Sequence, residues 1–450
     1  MELGPKADAL MGGLRSDLER LAAIPSIAFP GFPAEPVQQA HDLLVELLRQ
    51  AGVEKIERLD LPDTSPVIVA DVPPPTPDAP TVLLYGHYDV QPAGDESLWS
   101  SPPFEPTPVE GGLRGRGIAD DKSNIIVHLG VLRLYEGRPP VGLKIVLEGQ
   151  EEFGSAFDEY PPSDPGRFAC DAMVIADMGN IRPGSPTLTT GLRGASEVVV
   201  EVRTLDEPRH SGEFGGAAPD ALLVLIKALA TLHDAHGDVA VTGLRREEWS
   251  GAGYTVEEFR TLAGVLGDTP LTGSGSLGER LWSGPAITVV GIDAPSVDQG
   301  ASAVVPYARA KLNLRFHPQH DPKEAQQRLV THLAALRPLG VALTVTPGDT
   351  GPGFEPATGG PAYRAALTAL REGWGDEPAF VASGGSIPLV NGLSRAAPGA
   401  EVLLFGAQDS MCNLHAPNER VLFSELRSAV IAEAAFLREY AAAFRSGRAA

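Results

Sequence analysis

Apolar positions follow two rhythms along the chain. Over residues 16–23 and 36–51 they recur at helical spacing, with Leu43, Leu44, Leu47 and Leu48 gathered on one face. Residues 66–72, 81–85, 143–147 and 173–176 are instead short apolar runs, the pattern of strands covered on both faces. Residues 86–117 form a long connection rich in Pro and Gly, and a helix is predicted from Asp120 and Asp121 to about Tyr135. This succession of strand, helix and strand predicts an α/β sheet. Past residue 191 the texture changes. Residues 197–202 alternate apolar and polar, and a helix is predicted over about 219–233. After a polar, Gly-rich stretch to about 285 come strands at 286–292, 308–316 and 342–345, with a helix at about 322–336. That order predicts an α/β sandwich with one antiparallel sheet, inserted at 191–350 into a first domain made of 1–190 and 351–450. The chain returns through residues 362–372 and a strand at 402–405, and finishes in an amphipathic helix over about 422–444.

Groups able to hold a metal sit where these elements end. His87 and Asp89 follow the 81–85 run two residues apart, so in extended chain their side chains share a face. That suits an imidazole ligand oriented by a carboxylate, and equally a hydrogen-bonded polar pair. Asp120 and Asp121 open a helix, where the dipole favours carboxylates whether or not they bind anything. The 143–147 strand runs into Glu148-Gly149-Gln150-Glu151-Glu152. Adjacent glutamates point in different directions, so one can ligate while its neighbour acts as a base, although such a pair is usually a solvated charge run. Asp177 closes the next strand, and His415 follows the 402–405 strand. In open α/β sheets the site lies beyond the carboxyl ends of the strands. Two imidazoles (His87, His415) and three carboxylates (Asp120, Glu152, Asp177) suit two borderline cations such as Zn²⁺, with one carboxylate bridging.

Composition narrows the setting. The 450 residues suffice for two or three domains, and 43% hydrophobic with 21% charged residues is an ordinary globular balance. A net charge of −22 argues against nucleic acid or an anionic membrane as partner. Two cysteines, Cys170 and Cys412, are too few for a disulfide framework, and no export signal or membrane-length apolar run is visible. The expected address is the cytoplasm.

Seven motifs in one order carry a resemblance: GHYDV (86–90), GRGIADDK (115–122), EGQEEFGS (148–155), the isolated Asp177, HSGEFGG (210–216), GGSIP (384–388) and the His415 segment. Over nearly its whole length the chain resembles the co-catalytic zinc exopeptidases and deacylases. That family includes carnosine-type dipeptidases, folate-cleaving glutamate carboxypeptidases, aminoacylase and succinyl-diaminopimelate desuccinylase. The EGQEE and GGSIP versions look most like the dipeptidases. The resemblance implies a zinc-exopeptidase-type catalytic domain with a central mixed sheet, plus an inserted lid and dimerisation domain. It implies two divalent metal ions per chain, zinc first, with Mn²⁺ or Co²⁺ able to use the same ligands. His87 then binds one metal, oriented by Asp89, and Asp120 bridges both across a cis Asp120–Asp121 peptide. Glu152 and Asp177 bind one metal each, and His415 completes the second. Glu151 is the general base that activates a water shared by the metals. His210 is implied to reach the partner subunit's site and hold the oxyanion, which calls for a homodimer joined through the inserted domain. Arg315 is implied to grip the substrate's terminal carboxylate, assisted by Ser386 and by the amides of Gly384 and Gly385. The substrate is then a small peptide with a free C-terminal carboxylate.

Departures from the dipeptidase pattern bear on the substrate. Ala382-Ser383 stand where Arg-Glu is usual, Ser123 where Gly is usual, and Ser302-Ala303 where Lys-Thr is usual. Two alternatives follow: an N-acyl amino acid deacylase of the same fold, and a non-catalytic binding protein that keeps the ligands. Other signals have plainer readings. Gly273 to Gly278 fits GxGxxG but has no strand before it and no helix pattern after it. Cys412-x-x-His415 lacks a second cysteine pair for a zinc knuckle, so Cys412 is expected to be a buried thiol. Ser386 lacks the G-x-S-x-G setting of a nucleophile.

Overall fold

The computed structural model describes residues 2–298, 300–385 and 387–448. The chain divides into two compact units: residues 1–190, 356–381 and 388–450, and residues 191–355 with 382–387.

The first unit is built on an eight-stranded mixed sheet. Its order is Lys55–Leu59, Val67–Val72, Gly142–Glu148, Thr81–His87, Ala172–Ile175, Glu401–Leu404, Thr187–Leu192, Ala379–Ser383. The four strands Gly142–Glu148, Thr81–His87, Ala172–Ile175 and Glu401–Leu404 run parallel, neighbour to neighbour. Val67–Val72 pairs antiparallel on one side of this group and Thr187–Leu192 on the other. Parallel strands are covered on both faces, and Val82, Leu83, Leu84 and Tyr85 are accordingly fully buried. The Ser123–Leu134 helix is buried on almost every side, packed against Leu3–Ala22 and Phe423–Arg448. The sheet's parallel order sends the carboxyl ends of these strands to one edge, and that edge carries the chemistry.

Two predicted segments differ from what folds. The first helix spans Leu3–Ala22 and not just 16–23, because Leu3, Ala7, Leu14, Leu18 and Leu21 continue one buried stripe. Pro5 falls in its first turn, where the missing N–H costs nothing, and Gly12 and Gly13 face open space. The connection at 86–117 is partly regular: Thr107–Val109 and Gly112–Arg114 form a hairpin, and Arg420–Leu422 adds a third strand.

The second unit carries a four-stranded antiparallel sheet in the order Ala286–Asp293, Tyr307–Phe316, Gly194–Arg203, Thr344–Gly351. The predicted alternation is visible in the Gly194–Arg203 strand. Val198, Val200 and Val202 face a core shared with Leu312, Leu314, Leu225 and Leu329, the last two from helices Ala221–Leu229 and Pro322–Ala335. The polar stretch before residue 285 contains an additional helix, Val256–Leu262, started by a reciprocal cap between Thr255 and Glu258.

Candidate metal centre

The centre grows from the end of the Thr81–His87 strand. Gly86 is the last residue before the histidine, and a Cβ there would lie 2.8 Å from Asp121 Oδ2, so glycine is what admits Asp121 beside the strand. His87 is buried. Its Nδ1 lies 3.1 Å from the Asp89 carbonyl oxygen and 3.4 Å from Asp89 Oδ1. A proton on Nδ1 serves both, which leaves Nε2 turned away from Asp89 and free to act as an acceptor or candidate ligand. The same Asp89 carboxylate accepts the backbone N–H groups of Glu151 (3.0 Å) and Glu152 (3.1 Å). One buried carboxylate thus fixes both the imidazole and the loop that presents the two glutamates.

The Asp120–Asp121 peptide is cis. Asp121 turns to the scaffold, where its oxygens accept the His87 backbone N–H at 3.1 Å and Asn124 Nδ2 at 2.5 Å. Asp120 turns to the site and shows one oxygen to each imidazole. Oδ1 is 3.1 Å from His87 Nε2, and Oδ2 is 3.1 Å from His415 Nε2. The same His415 nitrogen is 3.1 Å from Glu152 Oε2. His87, Asp120 and Asp177 form one group, and Asp120, Glu152 and His415 a second, each with candidate ligand atoms within 4.8 Å of one another. His415 itself lies in the left-handed backbone region (φ 57°), between Asn413 and Asn418 in the same conformation.

Charge in this space is unbalanced. Burial, with Glu152, Asp89 and Glu148 adding to it against the pull of His87, holds the Glu151 carboxyl well above the usual carboxylate range. Burial and then Asp120 do the same to Asp177. Hydrogen bonds to Asp120 and Glu152 push His415 up to about 10. Burial opposes ionisation of Asp120, but His415 and His87 hold it below the usual range. Carboxylates outnumber imidazoles, and every donor is an oxygen or an imidazole nitrogen. That set fits borderline divalent cations, which neutralise the carboxylates and replace protons on the rings.

Several residues that hold this arrangement were not singled out in the sequence. Glu419 is fully buried and accepts from Arg116 Nη1 (2.7 Å) and from the backbone N–H groups of Gly117 (2.9 Å), Ala119 (2.9 Å) and Asp120 (3.1 Å). Gln91 Nε2 donates to Glu152 Oε2 at 2.8 Å, and Gln408 Nε2 to Asp177 Oδ1 at 3.3 Å. Such amides and carboxylates look like ordinary solvated residues until the fold sets them beside the candidate ligands. Cys412 is buried, as expected, with its Sγ 3.1 Å from the Asp409 backbone nitrogen.

The remaining predicted residues belong to the second unit. His210 is exposed, opposite Ala303 in a two-stranded ladder, and its Nδ1 accepts Gly212 N–H at 3.1 Å. Arg315 reaches Asn313 Oδ1 with Nε at 3.2 Å. Gly385 donates its N–H to Ser383 Oγ at 3.1 Å. Ser386 lies outside the described residues.

Comparison with known proteins adds independent findings. Residues 83–193 match the peptidase family M20/M25/M40, and residues 190–340 match a peptidase dimerisation domain. The chain is 35% identical over 415 residues to a cysteinylglycine-S-conjugate dipeptidase of Corynebacterium striatum, covering 90% of this chain and 91% of that one. It is 29% identical over 386 residues to the human beta-Ala-His dipeptidase, covering 79% and 74%. Among solved structures, the dipeptidase Dug1p of Saccharomyces cerevisiae superimposes with a TM-score of 0.83 at 25% identity, covering 98% of both chains. Human carnosine dipeptidase 1 gives the same TM-score and coverage at 24% identity.

Proposed function

The chain belongs to the peptidase family M20/M25/M40, and on that premise we propose that it is a metal-dependent dipeptidase acting on dipeptides or short peptides with a free C-terminal carboxylate. The observation that carries this reading is Asp120, whose two oxygens each face a different imidazole, with a Glu151 carboxyl of raised proton affinity that interacts through its charge with His87 and Asp177.

In this reading His87, Asp120 and Asp177 hold one divalent ion, and Asp120, Glu152 and His415 the other; zinc is the first choice, with Mn²⁺ or Co²⁺ as substitutes. Such ions supply Lewis acidity that polarises the scissile carbonyl and makes the attacking water more acidic. Glu151 takes the water's proton as attack proceeds and hands it to the leaving amine. A carboxyl held above the usual carboxylate range accepts and returns a proton more readily than a free one. Asp89 keeps the His87 ring turned with Nε2 towards the centre. Residues 1–190 and 351–450 make the catalytic domain in this reading, and 191–350 the lid and dimerisation domain. Arg315 takes the substrate's terminal carboxylate with help from the Gly385 amide and Ser386. His210 serves the site of a second copy, where its imidazole stabilises the oxyanion. The exposed Val289, Val290 and Ile292 on the edge strand Ala286–Asp293 support a homodimer formed through this unit. No described helix is long and apolar enough to cross a membrane. Both cysteines are free, which fits a cytoplasmic address.

The test is hydrolysis by metal-loaded protein across dipeptides, longer peptides and N-acyl amino acids, with and without chelator. Dipeptide cleavage that chelator abolishes and added Zn²⁺ or Mn²⁺ restores is the expected result. Preference for N-acyl amino acids moves the chain to a deacylase, and no turnover of any of these substrates overturns the reading.

A further inference from the structure

On the sheet face of the second unit that its helices leave open, cations and carboxylates come in pairs. Lys311 Nζ is 2.8 Å from Glu197 Oε2, and Arg309 Nε is 2.5 Å from Asp293 Oδ2. At one end this pairing stops. Arg315 has a 3.2 Å bond from Nε to Asn313 Oδ1, but its Nη1 is buried without a partner. Ala195 and Ala286 stand directly across from it on the two neighbouring strands, so its flanks are small.

Arg193 precedes the Gly194–Arg203 strand by one residue and Ala195 by two. Side-chain alternation puts it on the face of Ala195 and Arg315, diagonal to Arg315 and within reach of a long side chain. It is only 8% exposed. Its Nε is buried with no partner, and Nη1 has a marginal 3.5 Å contact with the Gly284 carbonyl. Its backbone N–H donates to the Ser383 carbonyl at 3.1 Å, and a Cβ on Gly384 would lie 2.9 Å from its Nη2. Glycine at 384 therefore makes room for the guanidinium. Burial and then the charge of Arg315 lower its proton affinity to about 10, so it stays cationic at neutral pH. Among the described residues neither arginine has a carboxylate partner.

Two neighbouring cations, one buried and one part-buried, are expensive without a counter-ion unless an anion completes them. A planar guanidinium takes a carboxylate through two parallel bonds, so a single terminal carboxylate saturates one arginine and leaves the second charge uncompensated. We propose that Arg193 and Arg315 form a two-cation pocket that selects substrates whose C-terminal residue carries a second carboxylate, an aspartyl or glutamyl side chain. The proposal rests on the dipeptidase reading above and deepens it. Arg193 is its specificity-determining residue.

The experiment compares kcat/KM for Ala-Glu and the near-isosteric Ala-Gln in metal-loaded wild type, Arg193→Met and Arg193→Lys. A buried charge-assisted pair predicts that wild type favours Ala-Glu by about 10–100-fold. The ratio falls towards one in Arg193→Met. It falls by less in Arg193→Lys, which keeps the charge but not the two-pronged geometry and serves where the Met variant does not fold. A wild-type ratio near one, or a ratio unchanged in both variants, overturns the proposal. Thermal shifts with L-glutamate against L-glutamine provide a readout independent of turnover. If no dipeptide is cleaved but L-glutamate stabilises wild type more than L-glutamine does, and Arg193→Met loses the difference, the dipeptidase reading falls and the pocket stands. If neutral dipeptides are cleaved and neither glutamate effect exists, the pocket falls and the dipeptidase reading stands.

Discussion

Asp120 shows one oxygen to each imidazole, and what fixes its backbone is a carboxylate outside both ligand groups. Glu419 gathers the N–H groups of Gly117, Ala119 and Asp120 together with the Arg116 guanidinium, in a buried setting where each bond counts. Glu419→Gln loses the charge that Arg116 needs and part of this grip. Partners of this outer kind typically change metal affinity by about 10–100-fold, and that is the expected loss in a Zn²⁺ titration against a competing chelator. Unchanged affinity would remove Glu419 from the positioning role. Glu151→Gln should behave in the opposite way: metal content intact, kcat down by at least about 10²–10⁴-fold. Turnover near wild type in that variant assigns the base elsewhere. The contrast shows what was legible at this scale. His87, Asp120, Glu152, Asp177 and His415 could be picked out because ligand-type residues stood at or near the ends of elements, in the order of a known family, and the structure gathers them into two groups. Glu419, Gln91 and Gln408 did not, because such a carboxylate or amide gains its meaning only from neighbours tens to hundreds of residues away.

At the scale of elements, the helices behind the sheet are joined by a buried ion pair. His128, in the middle of the Ser123–Leu134 helix, has Nδ1 2.9 Å from Glu433 Oε2 on Phe423–Arg448, and its Nε2 is 3.2 Å from the Tyr85 carbonyl. Burial alone lowers the imidazole's proton affinity, but the Glu433 carboxylate outweighs it and the net direction is upward. A folded-state value above the unfolded one has a definite sign: the stabilisation is fully present below the unfolded value of about 6.5 and is lost as pH rises through the raised folded value. The melting temperature of wild type relative to His128→Gln should therefore shrink between pH 6 and pH 9. A gap that widens over this range contradicts the protonated pair. His128→Ala, which strands the carboxylate, should cost about 3–5 kcal/mol in denaturant unfolding near pH 6. The elements themselves were largely legible where periodicity was strong. The alternation in Gly194–Arg203 and the apolar run in Thr81–His87 left little choice of structure. Leu3–Ala22 and Val256–Leu262 were less so: the first hides its start behind Pro5 and paired glycines, and the second is held by a local cap more than by an apolar stripe.

For the whole molecule, the open question is whether one copy completes another. The edge strand Ala286–Asp293 leaves Val289 (43% exposed), Val290 (54%) and Ile292 (50%) uncovered, and an uncovered apolar edge invites pairing with a second copy. Each chain carries a net charge of −22, so association works against long-range repulsion, and added salt should tighten a homodimer by screening it. Sedimentation at low and moderate ionic strength measures this directly. Replacing Val290 with Lys at the edge should give a monomer, and retention of the dimer would place the interface elsewhere. Monomerisation alone, however, cannot tell a structural dimer from one that shares residues. Mixed dimers can. In a co-expressed mixture of Glu151→Gln and His210→Ala chains, neither homodimer has a complete site. If His210 serves the site of the second copy, each mixed dimer regains one site, made of an intact Glu151 from one chain and an intact His210 from the other. Random pairing makes half the dimers mixed, so activity should recover to about a quarter of wild type. If His210 acts within its own chain, every site in the mixture lacks one of the two residues. Activity then stays at the level of the separate variants, and the imidazole's place in the reaction is confined to a single subunit.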